Sequence, residues 1–99
     1  MKHKELFSGF IRLHVLYHAA KSPIYGAWMI EELAEHGYKM SPGTLYPMLH
    51  SMHGKGYLEC EKKIHDGRSK KYYSCTPLGL EALAEAKNKL KELKLEIKS

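Results

Sequence analysis

At 99 residues the chain makes one small domain and is too short for a second independent core. Apolar residues at 43% and charged residues at 27% are ordinary globular proportions, which exclude wholesale disorder, and no run approaches the ~18 consecutive apolar residues of a membrane-spanning helix. Sixteen basic against eleven acidic residues leave a net charge of +5, which favours polyanions over cations as partners.

From Lys4 to about Lys21 the residues Leu6, Phe7, Phe10, Leu13, Val15, Leu16 and Tyr17 recur at helical spacing, and Ser22-Pro23 closes this first helix. A second helix is expected from about Tyr25 to His36, with Gly37 suited to the left-handed position just past its end. Gly26, Met29, Ile30 and Leu33 form its core stripe, and Trp28, Glu31, Glu32 and Glu35 fall on another face. Ser41-Pro42 reads as an N-cap followed by a first-turn proline, opening a third helix that runs to about Lys55. Its inner face is Leu45, Leu49 and Met52, and its outer face is Gly43, Tyr46, Pro47, His50 and His53.

Beyond Gly56 the period changes from helical to alternating. Tyr57 to about His65 and Lys70 to about Thr76 read as two strands joined by a loop, Asp66-Gly67-Arg68-Ser69. Tyr73 and Cys75 share one face of this hairpin, and Tyr72 looks to the other. Thr76-Pro77 repeats the capping signal and opens a last helix whose Leu83, Ala86, Leu90, Leu93 and Ile97 step as a heptad seam. The expected architecture is mainly α with a two-stranded β-wing: a winged helix-turn-helix plus a C-terminal dimerisation helix. Residues 1–76 form the winged unit with its N-terminal dimerisation helix, and residues 77–99 form the last helix of the same compact unit. By segment, residues 1–23 carry +3, 24–40 carry −2, 41–56 carry +1, 57–76 carry +2 and 77–99 carry +1, so one middle segment is net acidic while its neighbours are net basic.

The run Ser41-Pro42-Gly43-Thr44-Leu45-Tyr46-Pro47, the wing Gly67-Arg68-Ser69-Lys70-Lys71-Tyr72-Tyr73-Ser74-Cys75-Thr76 and Tyr25-Gly26 upstream resemble the PadR family of transcriptional regulators. The resemblance spans about residues 10 to 80 and implies a regulator, not an enzyme, that pairs through its N- and C-terminal helices and responds to small aromatic effectors. Two departures stand out. Ser51-Met52-His53 follows the motif where the family commonly has an Arg-Leu-Glu-like run, and Ser69-Lys70 replaces a Pro-Arg pair in the wing. A lysine there supplies a mobile point charge instead of a bidentate fork.

Small residues at a helix start let the backbone approach phosphate, so Ser41, Gly43 and Thr44 are expected at the DNA backbone, with Tyr46, Pro47 and His50 toward bases or sugar. Plain helix capping would produce the same serine and glycine. Pro47 removes an amide that would bond to the Gly43 carbonyl, unless the helix starts later, at Thr44. In the wing, Gly67, Arg68, Lys70, Lys71 and Tyr72 are the expected contacts to phosphate or minor groove, solvated surface being the alternative for the lysines. Phe7, Phe10, Leu83, Leu90, Leu93 and Ile97 are the expected homodimer contacts, against the alternative that the last helix packs on its own domain. A twofold pair sets its recognition helices roughly 34 Å apart and calls for a pseudo-palindromic operator. Trp28, large and on an acidic face, is expected packed beneath a terminal helix, the alternatives being docking on the partner subunit or stacking on an aromatic effector.

His14 and His18 stand four apart and His50 and His53 three apart, but no third ligand is evident near either pair, so no metal or other cofactor is assigned. Cys60 and Cys75 lie at mirrored distances from the hairpin centre and are expected as cross-strand neighbours, reduced and inward-facing. The polar start, Met1-Lys2-His3-Lys4-Glu5, is not followed by an apolar stretch, so a cytoplasmic location is expected. No catalytic motif is present. The reading is a dimeric, sequence-specific DNA-binding repressor released by an effector. A winged-helix module that binds protein, and a redox- or metal-responsive regulator on the same scaffold, are the alternatives.

Overall fold

The structure is a computed structural model that describes residues 1–99. Helix α1 (Lys4–Lys21) stops where the chain turns fully extended at Ser22, the residue before Pro23. Its buried positions are Ile11, Val15, Leu16 and Ala19, whereas Leu6, Phe10 and Tyr17 of the expected apolar stripe lie exposed. The helix carries apolar residues on two faces, and only one of them meets the domain's own core. Helix α2 (Gly26–Glu35) ends with the Tyr38 amide donating to the Leu33 carbonyl at 2.9 Å, around Gly37 at φ +89°.

Helix α3 (Pro42–Gly54) begins at the first-turn proline as expected but corrects the side-chain cap and decides between the two starts considered for it. Ser41 occupies the N-cap position and its carbonyl accepts from Thr44 and Leu45 at 3.0 Å, but its hydroxyl lies 3.2 Å from the Thr44 hydroxyl and caps no backbone amide. The helix starts at Pro42 and not at Thr44, so Pro47 lies within it and offers no N–H to the Gly43 carbonyl. Leu45, Met48, Leu49 and Met52 are its buried face.

Strands β1 (Leu58–His65) and β2 (Arg68–Cys75) pair antiparallel from Leu58↔Cys75 to His65↔Arg68. The connection is two residues long, not four: Asp66 at φ 52° and Gly67 at φ 74° are both left-handed, the tight turn whose twist matches the flanking strands. Arg68 and Ser69 therefore belong to β2. Cys60 sits opposite Tyr73, not Cys75, so the two free cysteines are diagonal neighbours on one face and not a directly opposed pair. Ile24 adds a short third rung, exchanging backbone bonds of 2.7 and 2.9 Å with Tyr73.

Helix α4 (Pro77–Lys98) is anchored at its start. The Thr76 hydroxyl accepts from the Gly79 amide at 3.0 Å and donates to the Gly56 carbonyl at 2.6 Å, joining the end of α3, the hairpin and α4. Gly79 is buried because a β-carbon there would meet the Tyr57 carbonyl and lie 2.6 Å from the Cys75 sulfur. One core of fourteen buried residues joins α1, α2, α3 and the base of the hairpin, and Leu83 is the α4 residue that packs on it. Beyond Ala86 the helix is exposed along its whole length, in a molecule measuring 55 × 31 × 20 Å.

Candidate nucleic-acid interface

The outer face of α3 and strand β2 of the wing close on a single cavity of about 590 Å³. Tyr46, Pro47 and His50 from α3 line one wall, Ser69, Lys70, Lys71 and Tyr73 from β2 the other, and Tyr25-Gly26-Ala27 the end. Gly26 sits here because a β-carbon would fall on the Tyr46 ring, so this glycine lets the start of α2 nest against the aromatic wall. The volume falls in the range of ligand sites, yet the walls are a helix face and a cationic hairpin, open to solvent at Tyr46, Pro47 and His50.

Register explains the charge. Lys62 stands directly opposite Lys71, and Lys63 opposite Lys70, two like-charge pairs at successive rungs of a two-stranded ladder. Each such pair is destabilising, by a few tenths of a kcal/mol up to about 1 kcal/mol. None of these lysines is held in an ion pair: the ion pairs present are His18–Glu32, His36–Glu32 and His65–Asp66, none with a lysine or arginine. Lys70 instead rests its ammonium 4.3 Å above the Tyr25 ring, and Lys63 lies 5.4 Å from that of Tyr72. Arg68, opposite His65, extends the same cationic edge to the turn.

The structure thus brings Tyr46, Pro47, His50, Lys70 and Lys71 to one cavity. Gly67 and Arg68 lie outside it at the wing tip, and Tyr72 packs edge-on against Tyr25 at 5.6 Å. Ser41, Gly43 and Thr44 lie at the first turn of α3, where a β-carbon on Gly43 would meet only the Ser41 hydroxyl, at 3.8 Å, and Thr44 accepts from the Lys4 ammonium at 3.3 Å. Lys4 and Arg12 line a groove beside that turn, which places two α1 cations next to α3. Neither they nor Lys62 and Lys63 were singled out in the sequence, where they are undistinguished surface cations. Tyr25 was visible only as part of the Tyr25-Gly26 pair.

Of the expected dimer contacts, Leu83 touches the core, whereas Leu90, Leu93 and Ile97 are 39%, 46% and 74% exposed. Phe7 and Phe10 adjoin at 6.2 Å, Phe10 exposed and Phe7 half-buried edge-on to Tyr38 at 6.3 Å. Trp28 is 37% exposed, edge-on to His18 at 5.4 Å, and lines none of the larger cavities. Burial pushes the Cys75 thiol above its ordinary range, which lowers its thiolate fraction, and raises the Tyr73 phenol in the same way.

Residues 15–85 match the family model described as the transcriptional regulator PadR-like family. The chain is 45% identical over 94 residues to the transcriptional regulator Rv3488 of Mycobacterium tuberculosis (strain ATCC 25618 / H37Rv), covering 95% of this chain and 88% of that protein. Among solved structures it resembles a PadR family transcriptional regulator from Eggerthella lenta DSM 2243, with a TM-score of 0.84 and 30% identity over 94% of this chain and 82% of that one. It also resembles a PadR-like transcriptional regulator from Bacillus cereus strain ATCC 14579, with a TM-score of 0.84 and 28% identity over 94% and 92% of the two chains.

Proposed function

The chain belongs to the PadR-like family of transcriptional regulators, and from that premise we propose that it is a homodimeric, sequence-specific double-stranded DNA-binding repressor acting in the cytoplasm. The observation that carries the reading is the pairing, without an ion-pair partner, of Lys62 with Lys71 and Lys63 with Lys70, of which Lys70 and Lys71 line the cavity beside the exposed face of α3. A hairpin that places like charges at two adjacent rungs gives up stability, and a polyanion returns it. In the proposed complex the first turn of α3 approaches the phosphates through Ser41, Gly43 and Thr44, and Tyr46, Pro47 and His50 enter the major groove. The wing grips the neighbouring strand through Gly67, Arg68, Lys70, Lys71 and Tyr72.

The exposed Leu90, Leu93 and Ile97 of α4, with Phe7 and Phe10 of α1, support pairing about a twofold axis and hence a pseudo-palindromic operator. Repression follows from promoter occlusion and is relieved by an effector that changes the spacing of the two recognition helices. Trp28, with its half-exposed indole, is the proposed contact for an aromatic effector.

The test is fluorescence anisotropy on a duplex selected by the purified protein from a random pool, titrated across salt. Affinity is expected to fall steeply and log-linearly with salt, and Arg68→Ala plus Lys70→Ala is expected to flatten the slope by about two units. Salt-independent binding, or a slope unchanged in the double variant, refutes the wing's role. Failure to enrich any duplex refutes the whole reading.

A further inference from the structure

Two helices meet with a pair of ligand-type side chains each. His14 and His18 stand one turn apart on α1, and Glu32 and His36 one turn apart at the end of α2, so each pair shares a face of its helix. The fold turns these faces toward each other. The ligand-capable nitrogens of His14, His18 and His36 lie within 4.8 Å of one another, and the His14 and His36 rings are 4.7 Å apart. One carboxylate oxygen of Glu32 reaches both remaining rings, at 3.3 Å from His18 Nε2 and 3.4 Å from His36 Nε2.

We propose that His14, His18, His36 and Glu32 form a binding site for a divalent transition-metal ion of the Zn²⁺ type between α1 and α2. Around a tetrahedral ion with ligand distances of about 2.0–2.1 Å, neighbouring donor atoms stand about 3.3 Å apart. The Glu32 oxygen and the two Nε2 atoms it faces already hold that spacing. Bringing the three imidazoles to it requires closure by at most about 1.5 Å from the 4.8 Å separation, within reach of side-chain rotation. Three imidazoles and one carboxylate are a donor set suited to zinc, and the single negative charge offsets part of that of the ion.

The only polar side-chain partner of the three rings is Glu32, itself one of the four proposed ligands, so no group outside the site has to be displaced. Burial, with the neighbouring histidines adding to it at His14, lowers the affinity of His14 and His18 for protons and favours the neutral form that a metal needs. Aromatic edges fix the ring planes: Tyr38 on His14 at 5.5 Å, and Tyr17 and Trp28 on His18 at 5.0 and 5.4 Å. The site stands independently of DNA binding, since neither helix pair includes a residue of the α3–wing cavity.

The test is calorimetric titration of the full, chelator-treated chain with Zn²⁺ alone at mildly alkaline pH, with Co²⁺ absorption as a report on coordination geometry. The expected result is saturable uptake of one ion per protomer with the visible bands of tetrahedral Co²⁺. His14→Asn and the exposed His36→Gln each weaken it by more than about tenfold, while His53→Gln, outside the cluster, leaves it unchanged. Circular dichroism of each variant verifies the fold, and uptake by the unmodified chain decides the matter without any variant. No saturable uptake, or uptake that survives both cluster substitutions, or equal loss in His53→Gln, overturns the site.

Discussion

The same substitution at two glycines is expected to move stability in opposite directions. At Gly79, in the first turn of α4, an added β-carbon meets the Tyr57 carbonyl on one side and the Cys75 sulfur, 2.6 Å away, on the other. Neither is a free side-chain end: the carbonyl is backbone that also accepts the Thr76 amide at 3.1 Å, and Cys75 is held in β2. Overpacking of this kind costs about 1–3 kcal/mol, and straining the Thr76 bonds adds about 1 kcal/mol. Alanine's better helix propensity returns about 1 kcal/mol, leaving Gly79→Ala destabilised by about 2 kcal/mol. For a domain of this size that is a loss of roughly 8–16 °C in Tm. Gly9, inside α1, has nothing within 4 Å of the corresponding β-carbon. There the propensity gain is unopposed, and Gly9→Ala is expected to raise Tm by about 4–8 °C. Thermal melts followed by circular dichroism, at one fixed protomer concentration, check both. A Gly79→Ala protein that melts with or above the parent would refute the close-contact argument.

Acid is expected to destabilise the chelator-treated protein. Burial holds the folded pKa of His14 and His18 below the ordinary 6.5, so the unfolded chain binds protons first as pH falls. The stability contributed by the neutral rings is complete above about pH 6.5 and declines below it, with Glu32 opposing and His36 reinforcing the trend. Urea midpoints across this window read the slope, and a slope unaffected by His14→Asn would contradict it. Cys75 is expected to react with iodoacetamide more slowly than an unperturbed thiol, because its burial suppresses the thiolate; mass spectrometry of timed samples measures this. Leu90→Glu plus Leu93→Glu should shift the sedimentation profile toward monomer while the domain stays folded, since both side chains are well exposed in the single chain. Gly67→Ala, at φ +74° in the hairpin turn, is expected to cost about 1 kcal/mol and to lower DNA affinity through a frayed wing.

What could be read from the chain alone was whatever chain neighbours decide. Pro23, Gly37, the Ser41-Pro42 and Thr76-Pro77 starts and the Asp66-Gly67 turn marked the element borders to within a few residues, since capping and backbone sterics act within one turn. Tyr46, Pro47 and His50 could be placed on one outward face by helical period, and the alternating period around the Asp66-Gly67 turn identified the wing. Where local rules misled, the deciding term came from elsewhere in the fold. The loop shrank from four residues to two because the twist of paired strands selects the turn, and that moved Arg68 into β2 and set Cys60 opposite Tyr73. The lysine pairs, the nesting of Tyr46 on Gly26, and the meeting of His14 and His18 with Glu32 and His36 depend on register and on helix approach. Spacing along a chain specifies which side chains share a face, but only the assembled core determines which faces meet, because the burial that sets their angle and distance is a property of all the elements at once.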